Sequence, residues 1–107
     1  MRDHDMEQLL NQLDANLKEL YRKALDADAV LDELQQQGHG KHQAIFPTDQ
    51  LFQVQSPRFM PYLSETAEQV SAIRQTQQFN TATLELVVKQ LQLLHKTLHE
   101  FKTVLAK

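Results

Sequence analysis

Residues 51–74 read LFQVQSPRFMPYLSETAEQVSAIR and interrupt a chain that is otherwise rich in regularly spaced leucine. With the preceding Phe46, this stretch holds four of the seven aromatic residues, and two of the three prolines lie in it. Ser56 is a favourable N-cap and Pro57 suits a first helical turn. Pro61 removes a backbone donor within the helical pattern, so we expect a kink or a late helix start there.

Leucine-rich segments on both sides of this stretch have the spacing of amphipathic helices. The first predicted helix runs from about Asp5 to Gln36, and Gly38 ends it because glycine adopts the left-handed conformation without steric cost. The last begins after an Asn80 cap and runs to about Leu105. Their apolar seams step by three and four residues: Met6, Leu10, Leu13, Leu17, Leu20, Ala24, Ala27, Leu31 and Leu34, then Leu84, Val87, Leu91, Leu94, Leu98, Phe101 and Leu105.

Three long amphipathic segments with short connections predict an all-α fold, an antiparallel bundle of three long helices. A short extra helical turn, carrying Leu51 and Phe52 and capped by Thr48 or Asp49, is expected before the second helix. A coiled-coil dimer is the alternative, but short loops favour seams that pack against each other within one chain. The length of 107 residues predicts one domain spanning residues 1–107.

Composition restricts the compartment and the chemistry. The chain has no cysteine, which excludes disulfides and thiol catalysis and fits a reducing compartment. No run of about 18 apolar residues is present, so we predict no membrane span. The charged N-terminal sequence lacks the apolar core of a secretion signal, so we expect a cytoplasmic protein.

The charge is negative overall and unevenly distributed. The net charge is −3; residues 1–37 hold nine acids and four bases, whereas residues 38–107 hold seven bases and five acids. This balance argues against a stand-alone nucleic-acid-binding domain. The acidic segment is most simply one helix with a solvated acidic face.

Enzymatic motifs are weak. His95 and His99 are spaced by one helical turn, as a zinc site needs, but Lys96 occupies the position of the general-base glutamate in the HExxH motif. Solvated histidines explain the pair more simply, and a metal-dependent enzyme, with His39 and His42 as further ligands, is the alternative. We therefore predict no catalytic residues, no bound metal and no cofactor.

Five residues are predicted to bind a partner: Arg58, Tyr62, Arg74, Lys89 and Lys96. Arginine beside an aromatic residue at a proline-kinked helix start resembles an interface hot spot. The two lysines are seven residues apart, opposite the seam of the last helix, and form a weak basic stripe. The alternatives are intramolecular salt bridges for the arginines, a solvated face for the lysines, and the acidic face of the first helix as the partner surface.

The pattern in residues 51–74 is similar to the core of the PriC (primosomal replication protein N″) family. The resemblance is carried by Leu51-Phe52-Gln53, by Phe59, Leu63 and Glu65 in FMPYLSE, and by Val70 and Ile73-Arg74 in VSAIR. The preceding Phe46, the leucine helix after Arg74 and the leading helix EQLLNQLDANLKEL also fit. The resemblance covers most of the chain, and its LFQ string is more specific than its leucine helices.

This resemblance implies a helical N-terminal domain used in replication restart. It implies a non-catalytic adaptor that contacts the replicative helicase, single-stranded-DNA-binding protein or both at stalled forks. Family members usually continue into a strongly basic half, rich in arginine and tryptophan, that is associated with DNA. This chain has no tryptophan and is acidic. The expectation is therefore the N-terminal domain of a longer protein or a short homologue, with single-stranded DNA as a weaker ligand. The alternative function is a small cytoplasmic helical chaperone or adaptor that masks a partner helix.

Overall fold

The computed structural model describes residues 3–38, 46, 51–76 and 80–105 of the chain. These residues form three helices and no strand: α1 (Asp3–Gln36), α2 (Met60–Thr76) and α3 (Thr81–Leu105). The predicted all-α bundle of three long helices is therefore confirmed. The predicted loop over residues 39–44, with His39 and His42, lies outside the described residues.

Contacts between the helices establish an up-down-up arrangement. Asp14 of α1 forms an ion pair with Arg74 near the end of α2, whereas Arg58, just before α2, pairs with Asp32 near the end of α1. Phe59 packs against Phe101 of α3 with ring centroids 5.6 Å apart. α2 therefore runs antiparallel to both neighbours, and the bundle measures 52 × 23 × 19 Å.

The helix ends follow their sequence signals. Gly38 has a φ of 80° and its N–H bonds to the carbonyl of Gln35, as expected for a glycine that ends a helix. The Oδ1 atom of Asn80 accepts the N–H of Ala82 at 2.9 Å, so Asn80 caps α3 as predicted.

The start of α2 differs from the Ser56 cap that its sequence favours. The helix begins at Met60, so the late start expected from Pro61 is confirmed. Ser56 instead accepts the N–H of Arg58 through its Oγ atom, 3.1 Å away. The extra helical turn is not seen at Leu51 and Phe52, which lie in bends or coil, and the rest of it lies outside the described residues.

One apolar core runs along the bundle and includes part of the segment before α2. Its buried members come from all three helices and from residues 46–59. Phe46, Phe52 and Tyr62 form a trio with ring centroids 4.7–5.2 Å apart, in which the two phenylalanines stack and Tyr62 meets both edge-on. Such arrangements stabilise aromatic clusters beyond simple burial.

No helix within the described ranges combines the length and apolar character that crossing a membrane requires.

Leu20 and Leu25 of α1 provide a paired test of the core. Leu20 is fully buried, whereas Leu25 is 46% exposed. We expect Leu20→Ala to lower the free energy of unfolding by about 2–5 kcal/mol, since it leaves a cavity in a packed interior. Leu25→Ala should cost less than about 1 kcal/mol. Urea unfolding followed by circular dichroism measures both, and equal losses would contradict the assigned core.

Candidate partner-binding site

The segment from Leu51 to Phe59 crosses the bundle without regular secondary structure. Most of its backbone N–H and C=O groups therefore lack the partners that a helix provides, and such groups need other hydrogen bonds where they are buried. Side chains from α1, α2 and α3 supply several of these bonds: Asp28, Glu65, Tyr62 and Gln90.

Glu65 of α2 anchors the first part of the segment. Its Oε1 atom accepts the N–H groups of Gln53 and Val54, each at 2.9 Å. Charge-assisted bonds of this kind are stronger than those between neutral groups. Glu65 thereby fixes the direction of the chain just after Phe52, which is one of the three residues of the aromatic trio.

Gln90 of α3 connects the same segment to α2. Its Nε2 atom donates to the carbonyl of Leu51 at 2.6 Å and to Oε2 of Glu65 at 3.2 Å. Its Oε1 atom accepts bonds from Thr66 at 2.9 Å and from Gln69 at 3.2 Å. The amide is fully buried and uses all its hydrogen-bonding capacity, so Gln90 is a structural residue.

Asp28 of α1 caps α2 from outside. Its two carboxylate oxygens accept the N–H groups of Phe59 at 2.7 Å and Met60 at 3.0 Å. The next residue, Pro61, has no N–H, and those of Tyr62 and Leu63 bond to the carbonyl of Phe59. The donors of the first turn are thus satisfied, and the negative carboxylate also lies at the favourable end of the helix dipole.

Arg58 and Tyr62, predicted as partner contacts, are both engaged within the chain. The Nε atom of Arg58 bonds to Asp32 at 2.7 Å, and its other nitrogens reach Gln35 and the carbonyl of Pro57 at 3.0 Å. Tyr62 is fully buried, and its hydroxyl accepts the N–H of Ser56 at 2.8 Å and donates to the carbonyl of that residue at 3.1 Å. In this arrangement Tyr62 cannot touch a partner, because its whole side chain lies in the core.

The remaining predicted contact residues are exposed but differ in their surroundings. Arg74 forms an ion pair with Asp14 at one end of the seam, the line of contact between α1 and α2. Lys89 and Lys96 lie on the outer face of α3 and form no ion pair with any described residue. The structure therefore does not bring the five residues into one site, and partner binding by the accessible ones stays a prediction.

A cavity of about 300 Å³ lies between α1 and α3, and two histidines line it. His95 is held at one side by Asn16, whose Oδ1 atom lies 3.1 Å from Nε2 of the ring. The Asn16 amide nitrogen donates to the carbonyl of Gln12, so its oxygen faces the ring and favours the tautomer with hydrogen on Nε2. Across the described ranges, His95 and His99 are not joined by a third histidine or carboxylate in a group suited to a metal ion.

Sequence reasoning missed Asp28 and Gln90 as structural anchors. Asp28 is one of nine acids in residues 1–37, and Gln90 is one of fifteen glutamines, so neither stands out by type or spacing. Glu65 was singled out because it belongs to the resemblance pattern. Its bonds to the backbone of Gln53 and Val54 were not predicted.

Asp28 and its neighbour Asp26 separate capping from general charge effects. Asp26 is exposed and lies on the other side of α1, where it lines the cavity. We expect Asp28→Ala to lower the free energy of unfolding by about 1–2 kcal/mol, because two N–H groups lose their acceptor. Asp26→Ala should stay within about 0.5 kcal/mol of the parent protein. Urea titrations of both variants test this, and similar values for the two would contradict capping by Asp28.

Glu65 gives a local prediction that hydrogen exchange can resolve. The Glu65→Gln side chain keeps one oxygen that can accept a hydrogen bond but replaces the other with an NH₂ group. This group cannot accept the N–H of Gln53 or Val54. We expect their amide exchange to accelerate at least about tenfold, which corresponds to about 1.4 kcal/mol of lost protection. Glu68→Gln on the exposed face of α2 is the matched control. Exchange at residues 53 and 54 that is equally fast in both variants would contradict the anchor.

Compared with known proteins, the chain matches no family model, no curated protein and no solved structure.

Proposed function

We propose that this chain is a non-catalytic, cytoplasmic adaptor of replication restart that contacts the replicative helicase, single-stranded-DNA-binding protein or both. The proposal rests on the resemblance of residues 51–74 to the PriC family. An adaptor of this type acts by holding a rigid surface for its partners, and it makes or breaks no covalent bond.

The observation that carries the proposal is the bonding of Glu65 to Gln53 and Val54. Glu65 and the Leu51-Phe52-Gln53 string are separate parts of the resemblance pattern, and the Glu65 carboxylate accepts the backbone N–H of Gln53, twelve residues away. Generic leucine helices would account for the apolar positions alone. The bond supports a role for Glu65 in positioning the string, and it depends on the main chain of Gln53 rather than on its side chain.

The use of the carboxylates supports an adaptor over an enzyme. Asp28 and Glu65 each accept two backbone N–H groups, from residues just before α2 or at its first position. A general base needs a lone pair that can reach a substrate proton. Carboxylates tied to the backbone stabilise a local conformation, and they contribute rigidity to a binding protein.

The arrangement of the basic residues supports protein partners ahead of DNA. Arg58 and Arg74 are each paired with an aspartate of α1. Binding to the phosphate backbone relies on basic groups that can replace condensed counterions. With a net charge of −3, the chain offers little of that attraction.

Calorimetric titration of the chain into the replicative helicase of the same organism tests the proposal, with single-stranded-DNA-binding protein in a parallel titration. We expect saturable heat with a dissociation constant of about 1 μM or tighter for at least one of them, equivalent to about −8 kcal/mol. Absence of heat and of co-elution with both proteins would overturn the proposal.

The variant K89E/K96E then tests the two lysines that were predicted from sequence and that form no ion pair with any described residue. Its circular dichroism should match the parent protein because both side chains are exposed on α3. Weaker binding would assign the contact to the outer face of α3. Unchanged affinity would remove both lysines from the predicted contact residues.

A further inference from the structure

Four residues at the middle of α1 form an exposed surface that mixes apolar and basic character. Tyr21 is 49% exposed and Leu25 is 46% exposed, both high values for large apolar side chains. Lys18 and Arg22 are exposed beside them. The spacing of i, i+3, i+4 and i+7 places these four residues, here called the α1 patch, on one helical face.

Tyr21 of the α1 patch lies on the face of α1 that meets α2, and no ion pair joins the described residues of the two helices at its level. Asp14 pairs with Arg74 toward one end of the seam, and Asp28 caps Met60 toward the other. These two contacts fix the antiparallel register, so residues midway between them on the two helices lie opposite each other. Tyr21 is the midpoint on α1.

Small side chains occupy the α2 side of the same level. Ala67 lies opposite Tyr21 and is half-buried, and Ser64, one turn earlier, lies at the level of Leu25 and is exposed. The small side chains of α2 leave space beside the large side chains of α1. A further helix can pack along such a seam through residues spaced by three and four.

The charge of the α1 patch is opposite to that of the helix that carries it. All three basic residues of α1 lie between positions 18 and 23, although the helix is strongly acidic. Lys23 pairs with Glu19 at 3.2 Å, but Lys18 and Arg22 form no ion pair with a described residue. Two free cations beside exposed apolar side chains complement carboxylates that flank an apolar stripe.

The same charges argue against a second copy of this chain as the occupant. A two-fold interface centred on the α1 patch would bring together the Lys18 and Arg22 side chains of both copies. Asp14 and Asp28, which lie seven residues before and after Tyr21 on the same face of α1, are bonded to α2. Like charges would therefore meet without compensation from the patch itself.

We propose that the α1 patch, with Ser64 and Ala67 of α2, is a docking surface for an amphipathic helix of another protein, in which aspartate or glutamate flanks an apolar stripe. The apolar residues pack between Tyr21 and the small side chains of α2, and the carboxylates pair with Lys18 and Arg22. This surface is separate from the five residues predicted from sequence, and it does not require the partner to be a replication protein.

Selection from a phage-displayed library of random 20-residue peptides tests the proposal, with the full chain as target and K18E/R22E for counter-selection. We expect the enriched peptides to carry apolar residues spaced by three and four, flanked by acids. Enriched sequences that are basic or neutral, or no enrichment against the counter-selection variant, would overturn it.

The affinity of the best acidic peptide for point variants, measured by fluorescence anisotropy, locates the site. We expect K18E/R22E and Y21S/L25S each to weaken binding at least about tenfold, since buried apolar anchors and complementary charges dominate such interfaces. Val88→Ser is the matched apolar control, because Val88 is 36% exposed on α3. Its affinity should stay within about twofold of the parent value.

Two further measurements separate this surface from its competitors. K89E/K96E makes the same charge change on the outer face of α3, and a loss of peptide binding confined to that variant would overturn the proposal. Sedimentation equilibrium of the free chain, with Y21S/L25S for comparison, tests self-association. A dimer abolished by that variant would make a second copy the occupant and overturn the acidic helix.

Discussion

The three-helix arrangement depends on how the backbone of residues 51–60 obtains its hydrogen bonds. This segment enters the core through Phe52 but forms no helix until Met60. Each helix contributes polar side chains to it: Asp28 from α1, Glu65 and Tyr62 from α2, and Gln90 from α3. A buried N–H or C=O group without a partner costs about 1–3 kcal/mol, a large part of the stability of a domain this small.

These bonds also explain why a polar pattern lies within leucine helices. Apolar seams tolerate exchange among residues of similar volume, so they specify a bundle only loosely. Glu65 requires the backbone of Gln53 and Val54 at one position, and Gln90 requires the carbonyl of Leu51. The polar contacts therefore select one register of α2 against α3, and the seams provide most of the apolar burial.

How far the sequence predicts this structure depends on the range of each interaction. The helices, the Gly38 stop, the Asn80 cap and the late start at Pro61 follow from signals within a few residues. The Asp28 cap does not, because its acceptor and donors are 31 and 32 residues apart and only the packed bundle brings them together. Tyrosine is a residue type typical of interface hot spots, which is why Tyr62 was predicted to bind a partner. Its burial depends on contacts with Phe46 and Phe52 that form only in the folded chain.

The same packing explains why the docking surface proposed on α1 differs from the contact residues predicted from sequence. Arg58 and Arg74 pair with Asp32 and Asp14 at the two ends of the α1–α2 seam, so both arginines have partners within the chain. The packed core beneath the seam, which includes Leu20 and Leu63, keeps its middle in one geometry. A partner helix that docked there would lose its own freedom on binding but would not have to order the surface that receives it, and pre-organisation of this kind increases affinity without adding contacts.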